Sequence, residues 1–320
     1  MTSHMRSAVV VEPGVAAIRE VPLPEPGPDQ VRVRLEGCGV CGSNLPLWEG
    51  RPWFQYPREP GAPGHEGWGT VDRVGSRVDA GLLGQRVSML SYNAFAEYDL
   101  ADVQHVVPLP AALGGRPFPG EALACAMNIF RRSAIQPGQR VAIVGAGFLG
   151  TLLVQLAARA GAEPIAISRR SYALQEARRA GAKLSIPMLD HAQIIEQVRD
   201  VTRGEFCPVV IEAVGEQWPL DLAGELTAVR GRLVIAGYHQ DPRQVNMQLW
   251  NWRGLDVVNA HERDPARYVE GMRDAVQAVL EGRLDPDPLY THRFELSELG
   301  SALQALKERP DGMLKSWVAP

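Results

Sequence analysis

The sequence predicts an α/β protein with a β-rich front and a doubly wound parallel sheet behind it. Three observations carry that prediction. Residues up to 119 read as short strands and turns, residues from 120 onward alternate strands with helical stretches, and 320 residues at 45% hydrophobic content suffice for two cores.

In the front part, Val31-Arg-Val-Arg-Leu35 alternates with a period of two, as a half-buried strand does, and the proline-rich run at 22–28 before it is a loop. A second β segment is expected over 67–78, closed by Gly75-Ser. From 120 the texture changes: a helix at 121–133, a turn at 136–139 and a strand at 140–144. Alternating units follow, with helices at 148–160 and 172–180 and strands at 164–168, 208–212 and 232–236. The tail carries helices at 266–280 and 296–307 around a short strand at 292–294, and the β-rich start makes a return of this tail to the front domain the expected arrangement. The domains expected are therefore 1–119, 120–260 and a segment 261–320 completing the first.

Composition excludes several classes of function. A net charge of −4 with 22% charged residues gives no basic excess for nucleic acid and no charged tail. The apolar stretch 141–162 is interrupted by Gly145, Gly147, Gly150, Gln155 and Arg159, so it reads as strand, turn and helix rather than a membrane span. Residues 1–6 hold no apolar run of a secretory signal, and four cysteines (Cys38, Cys41, Cys125, Cys207) are too few for a disulfide scaffold, so a reducing cytoplasm is expected.

Gly145-Ala-Gly-Phe148-Leu149-Gly150 sits between a β-type run and a helical one, the context that makes a G-x-G-x-x-G pattern specific for a dinucleotide. The first glycine permits the tight turn, the second lets backbone approach the pyrophosphate, and the third lets helix and strand pack closely, with helix amides facing the phosphates. The next strand ends in Ser168-Arg169-Arg170, where an NAD site usually carries an acid roughly 20 residues after the fingerprint. A hydroxyl and two guanidinium groups suit a 2′-phosphate, so NADP is preferred over NAD; the alternative is that the arginines merely open the next helix in solvent.

Cys38-Gly-Val-Cys41 has no second close cysteine pair to complete a structural zinc knuckle, and it follows a strand in a Gly-rich loop, unlike a thioredoxin-type redox pair. A catalytic zinc needs only three protein ligands and an open position. Cys41-Gly-Ser43 and Gly64-His65-Glu66 offer a thiolate, an imidazole and a carboxylate.

Taken together, Gly39-Val-Cys-Gly-Ser43, Gly61-Ala-Pro-Gly-His-Glu66, Glu121-Ala-Leu-Ala-Cys-Ala126, the glycine fingerprint and Glu212-Ala-Val-Gly215 resemble, in order and spacing, the zinc-type medium-chain dehydrogenase/reductase (alcohol dehydrogenase) superfamily over nearly the whole chain. The resemblance implies a GroES-like catalytic domain completed by the C-terminal tail, with a Rossmann domain inserted. It implies that Cys41 and His65 are zinc ligands, with Glu66 and Glu121 as the two acids of which one binds directly and the other acts through water, or which exchange. Cys125, one helical turn beyond Glu121, is read as core, and Cys38 and Cys207 as small buried hydrophobes. Val214, Gly237 and Tyr238 end strands where nicotinamide and ribose contacts are expected, and Lys315 matches a basic residue that often meets the pyrophosphate.

Three departures from the family pattern stand out. Residues 87–110 contain no cysteine, so the structural-zinc lobe is absent and a single catalytic zinc is expected. Asn44 replaces the common Asp, altering the groups behind the ligands. Pro46 replaces the proton-relay histidine, so Ser43 takes the substrate proton but its onward route differs, through cofactor ribose and water. The family's chemistry would be hydride transfer between a nicotinamide and a secondary alcohol, polyol or corresponding carbonyl compound, two carboxylates at zinc resembling the polyol dehydrogenases. Transient oxidation in an epimerase or dehydratase, and a catalytically impaired cofactor-binding protein, are the competing readings. Trp48, Trp53, Phe54, Tyr56 and Trp68 either line a substrate cleft or pack the lobe; Tyr238-His239 and Trp250-Asn-Trp252 could belong to a pocket or a dimer edge. The expected partners are a small-molecule substrate and copies of the same chain, as homodimer or homotetramer, with no nucleic acid and no membrane.

Overall fold

A computed structural model describes residues 3–320, so the first two residues of the N-terminal stretch lie outside it. In chain order it begins with strands β1 (His4–Glu12), β2 (Val15–Pro22) and β3 (Gln30–Gly39). A short helix α1 (Leu45–Trp48) precedes β4 (Gly67–Val74), β5 (Arg86–Met89), β6 (Tyr98–Asp102) and β7 (Val106–Pro108). Helix α2 (Gly120–Ser133) leads into β8 (Arg140–Val144), α3 (Phe148–Arg159), β9 (Glu163–Ser168), α4 (Ser171–Arg179), β10 (Leu184–Pro187), α5 (His191–Val201) and β11 (Cys207–Glu212). After these come α6 (Gln217–Leu226), β12 (Thr227–Ile235), α7 (Met247–Arg253), β13 (Asp256–Asn259), α8 (Pro265–Leu280), β14 (Tyr290–Glu295), α9 (Leu299–Glu308) and β15 (Lys315–Ala319).

These elements form two compact units. The first runs to Ala124 and resumes at Arg263–Leu280 and Asp287–Pro320; the second is Cys125–Glu262 with Glu281–Pro286. The tail thus supplies α8, β14, α9 and β15 to the first unit, while the short piece after α8 belongs to the second, where Gln155 fixes it by donating to the Asp285 carbonyl and accepting from the Asp285 amide, both at 2.8 Å.

In the first unit a hairpin (β1 with β2) accompanies a seven-stranded sheet in the order β14-β15-β3-β4-β5-β7, with β6 also on β3. Val31, Val33 and Leu35 of β3, on alternate positions, are buried in the core with Val71, Val87 and Met89 from neighbouring strands. Side chains of this kind stabilise by about 1.5–3 kcal/mol each when fully buried, which is what holds β3 at the centre. The C-terminal strand β15 lies antiparallel to β3 (Trp317 opposite Gly39, Val318 opposite Cys38), so the end of the chain reaches the strand that leads into Cys41.

In the second unit six parallel strands lie in the order β10-β9-β8-β11-β12-β13, the doubly wound order that reverses between β8 and β11. Val141, Ala142, Ile143 and Val144 of β8 are all fully buried, as a central parallel strand covered on both faces requires. No helix among the described residues is long and apolar enough to cross a membrane.

Candidate functional site

The first unit gathers three donor side chains at the end of β3. The chain leaves β3 at Gly39 and makes one 3₁₀ turn, Gly42–Asn44, which presents Cys41. Asn44 is fully buried and ties this turn down: its Oδ1 accepts from the Cys41 amide at 3.0 Å and its Nδ2 donates to the Pro63 carbonyl at 3.2 Å. That carbonyl also lies 2.7 Å from His65 Nδ1. Because a carbonyl can only accept, Nδ1 carries a proton, and Nε2, 3.3 Å from Ser43 Oγ, is the nitrogen that faces the other donors and could bind a metal. An Asp at position 44 would set a carboxylate against the Pro63 oxygen, whereas the amide of Asn bonds both neighbours. Pro46 opens the first turn of α1, where a missing N–H costs nothing.

The ligand atoms of Cys41, His65 and Glu66 all lie within 4.8 Å of one another. Burial penalises charge on the His65 ring, yet the hydrogen bond and charge of Cys41, with the charges of Glu121 and Glu66, outweigh that and push its pKa up to about 10. Cys41, Glu121 and Glu66 thus all act on the one imidazole. Thiolate, imidazole and carboxylate at this spacing suit a zinc ion, and Cys41, His65 and Glu66 are the residues that fit one.

Glu66 is 1% exposed, and its carboxylate occupies the space where a Cβ at Gly39 would stand, 1.8 Å from Oε2. Lys315, on β15, meets it: Nζ donates to Oε1 at 2.7 Å, lies 2.6 Å from Oε2, and donates to the Val40 carbonyl at 3.1 Å. Burial opposes the lysine's charge, but Glu66 and then Cys41 more than offset it and hold its pKa above the ordinary range. The structure thus gives the Lys315 ammonium the metal-site acid as its first partner, and a pyrophosphate would have to compete with that pair.

Beside these donors is a cavity of about 290 Å³. His65 and Glu121 line it from the donor cluster, Leu90 and Pro265 provide apolar wall, and Ser91, His105, Arg263 and Tyr268 provide polar wall. Pairing between β5 and β7 sets part of this wall, since the Leu90 amide donates to the His105 carbonyl at 3.0 Å. None of Trp48, Trp53, Phe54, Tyr56 and Trp68 lines this cavity. Trp48 and Trp68 are buried, Phe54 and Tyr56 pack against the core, and Trp53 is exposed.

In the second unit the glycine run forms the turn from β8 to α3. Gly145 has φ +106°, and a Cβ there would stand 2.5 Å from the Val214 side chain. Gly147 is the N-cap of α3, and a Cβ on it would meet only the Arg170 guanidinium, at 3.9 Å, so the amide end of the helix, with Phe148 and Leu149 half-buried in its first turn, is open to a ligand. Gly150 packs so closely that a Cβ would stand 1.9 Å from the Gly145 carbonyl. Ser168 is buried at the end of β9, Arg169 is exposed and Arg170 is the N-cap of α4. Buried Glu212 holds the neighbouring loop: its Oε1 accepts from the amides of Val214 (2.6 Å) and Gly215 (2.8 Å), and Oε2 is 2.9 Å from His239 Nε2. Gly237 packs against Gly215, 2.2 Å from its amide nitrogen to a Cβ built at 237, while the Tyr238 side chain is half exposed.

All four cysteines are free. Cys38 and Cys207 are fully buried, and burial pushes both thiols up, Cys207 to about 12; Cys125 is half-buried. Sequence reasoning missed Asn44's bond to the Pro63 carbonyl, the Glu212–His239 contact and the polar cavity wall, all of which depend on residues distant in sequence; the buried pairing of Lys315 with Glu66 spans 249 positions.

Comparison with known proteins agrees with this fold. The family described as "Alcohol dehydrogenase GroES-like domain" matches residues 27–111, and that described as "Zinc-binding dehydrogenase" matches residues 149–278. A sorbitol dehydrogenase of Halalkalibacterium halodurans is 26% identical over 95% of this chain and 96% of its own length. An L-galactonate-5-dehydrogenase of Escherichia coli is 23% identical, over 94% of this chain and 95% of its own. Among solved structures, a zinc-binding dehydrogenase of Sinorhizobium meliloti bound to NADP superposes with a TM-score of 0.86 at 26% identity, covering 100% of both chains.

Proposed function

Since the chain belongs to the zinc-type medium-chain dehydrogenase/reductase superfamily and is an NAD(P)-dependent dehydrogenase, we propose that it transfers a hydride between NADP(H) and a secondary alcohol, polyol or corresponding carbonyl compound. The observation that carries this reading is the convergence of Cys41, His65 and Glu66 within 4.8 Å, in a chain that also holds an open dinucleotide turn.

A bound zinc would supply Lewis acidity at the substrate oxygen, and the nicotinamide the hydride chemistry. The chain's own residues do the holding and the proton handling. Cys41, His65 and Glu66 hold the metal, with Glu121 as the second acid at the cavity. Asn44 and the Pro63 carbonyl fix the turn and the ring tautomer, so His65 presents Nε2. Ser43, next to that nitrogen, takes the substrate hydroxyl proton. Gly145, Gly147, Phe148, Leu149 and Gly150 hold the pyrophosphate, and Val214, Gly237 and Tyr238 border the nicotinamide half, braced by Glu212. Ser168, Arg169 and Arg170 favour the 2′-phosphate, in keeping with a relative solved with NADP. The substrate reading draws on relatives named for sorbitol and L-galactonate.

The protein is expected in the cytoplasm as a homodimer or homotetramer. The support for association is the free edge of the second unit's sheet at β13, with Val257 partly exposed and Trp252 of the preceding helix 89% exposed.

Metal analysis and titration with NADP and NAD on one purified sample test the reading. About one zinc per chain and tighter binding of NADP are expected; absence of zinc overturns the metal site, and tighter NAD binding overturns the role of the arginines.

A further inference from the structure

In the second unit, the loop from β11 to α6 and the loop from β12 to α7 are joined by a closed circuit of hydrogen bonds. Glu212, fully buried at the end of β11, accepts from the Val214 and Gly215 amides through Oε1 and meets His239 Nε2 through Oε2 at 2.9 Å. On the other side of the ring, Arg243 Nε donates to His239 Nδ1 at 3.1 Å. Arg243 Nη2 also donates to the Gly215 carbonyl at 2.8 Å and to Glu216 Oε2 at 3.1 Å. Gly215 is thus held at its amide by Glu212 and at its carbonyl by Arg243, and the His239 ring joins the two holders. The backbones leave no slack, because a Cβ at Gly215 would stand 2.5 Å from the Tyr238 carbonyl oxygen.

This circuit fixes the charge state of the ring. A guanidinium only donates, so Nδ1 must accept, and the single proton of a neutral imidazole lies on Nε2, where it is donated to Glu212. A second proton, on Nδ1, would point at the Arg243 N–H and set two positive groups together. The ring would then keep Glu212 and lose Arg243, and the carbonyl side of Gly215 would lose the arm that the ring steadies. With 17% of the His239 side chain exposed, water can deliver that proton. The charged and titratable groups around the ring are Glu212, Glu216 and Arg243, with Tyr238 and Asp241 flanking it in the chain and His261 against the Tyr238 ring, centroids 6.1 Å apart. The carboxylates among them favour the second proton, and Arg243 opposes it.

The turn held in this way touches the glycine run between β8 and α3. A Cβ at Gly145 would stand 2.5 Å from the Val214 side chain, and the Ala213 amide donates to the Val144 carbonyl at 2.8 Å. A displacement of residues 213–215 therefore reaches the first glycine of the dinucleotide turn. Resting on the cofactor site read above, we propose that His239 is a positioning residue for the nicotinamide cofactor. Neutral, it bridges Glu212 and Arg243 and holds the 213–215 turn in place; protonated, it releases Arg243 and the turn loosens.

The test uses the full-length protein, with hydrogen exchange at the Val214 and Gly215 amides in the absence of cofactor and calorimetric titration with NADP and with NAD. His239→Leu removes both bonds of the ring and is expected to weaken cofactor binding about tenfold and to lower the protection of both amides. His239→Gln, whose side-chain amide can donate to Glu212 and accept from Arg243, is expected to restore most of both losses. On acidification from about pH 8 to about pH 5, the span over which an imidazole changes charge, the unsubstituted protein is expected to lose about tenfold more affinity than His239→Gln, since glutamine gains no proton. Groups common to the two proteins, the cofactor phosphates included, cancel in that comparison, which also decides the matter if His239→Leu does not fold. Equal losses on acidification overturn the proposal, as do amide protection and affinity in His239→Leu equal to those of the unsubstituted protein. Protection that follows His239 in a protein that binds neither NADP nor NAD would overturn the cofactor site while the hold of His239 on the turn stands. Tight cofactor binding with protection indifferent to residue 239 would sink the proposal alone.

Discussion

Lys315 and Asp99 are buried charges with opposite relations to their surroundings. Lys315 neutralises Glu66 at 2.6 and 2.7 Å with both groups out of solvent. Replacing it by Met leaves an uncompensated carboxylate, and a loss of about 3–5 kcal/mol is expected. Denaturation of Lys315→Met with and without zinc checks this: the loss is expected to shrink in the zinc-loaded protein, where Glu66 gains a second cation. Among the described residues Asp99 has no cationic partner to offset burial, which pushes it up to about 6 against the pull of hydrogen bonds that include those from the Leu100 and Asn93 amides. Its folded value exceeds the ordinary 3.8, so between the two the native state holds more protons than the unfolded chain. Asp99 thus favours folding most below pH 3.8 and loses that advantage as pH rises through about 6, a change of about 3 kcal/mol. Subtracting the pH–stability curve of Asp99→Asn from that of the unsubstituted protein is expected to show a fall of this size, and a flat difference would refute it. Cys41, His65 and Glu66 were legible in the sequence because the family motif is local. Lys315 was legible only as a cofactor contact, because its pairing to Glu66 spans 249 positions.

At the scale of elements, the turn from β8 to α3 separates packing from binding. A Cβ at Gly150 would stand 1.9 Å from backbone oxygen of Gly145, so Gly150→Ala must move the helix off the strand and is expected to cost about 1–3 kcal/mol. Gly147 has φ −75° and only the Arg170 side chain near a built Cβ, so Gly147→Ala is expected to fold with little loss while its affinity for NADP drops. Thermal melts of both variants, paired with cofactor titration, check the contrast; equal destabilisation by the two would contradict it. This turn and the strands around it were readable because each glycine's role follows from its immediate neighbours. β12 proved longer than expected, starting at Thr227 rather than 232, because Arg230-Gly-Arg interrupts the apolar run without ending the strand. The N-terminal hairpin and the short strands β5 to β7 were seen only as generic β texture, since strands of three to five residues such as β5, β6 and β7 carry too little periodicity to fix their partners.

At the scale of the molecule, the free edge at β13 and Trp252 bear on association. Trp252→Glu, which sets a charge on the exposed patch, is expected to shift the protein towards monomer in sedimentation velocity, leaving the monomer folded; an unchanged assembly would place the interface elsewhere. The presence of a β-rich part and a parallel-sheet part was legible from the change of texture near residue 120. The excursion Glu281–Pro286 was not, because two hydrogen bonds to Gln155 decide it rather than any local pattern. That β15 lies between β14 and β3 has a further consequence for how the protein is made. During synthesis β3 emerges long before the strand that will lie against it, so the first sheet stays open on that side until β15 has left the ribosome. Until then Glu66 lacks its lysine. A nascent chain stalled before residue 315 should hold zinc differently from one in which β15 has docked, and maturation of the metal site becomes an event that waits for β15 rather than one of early folding.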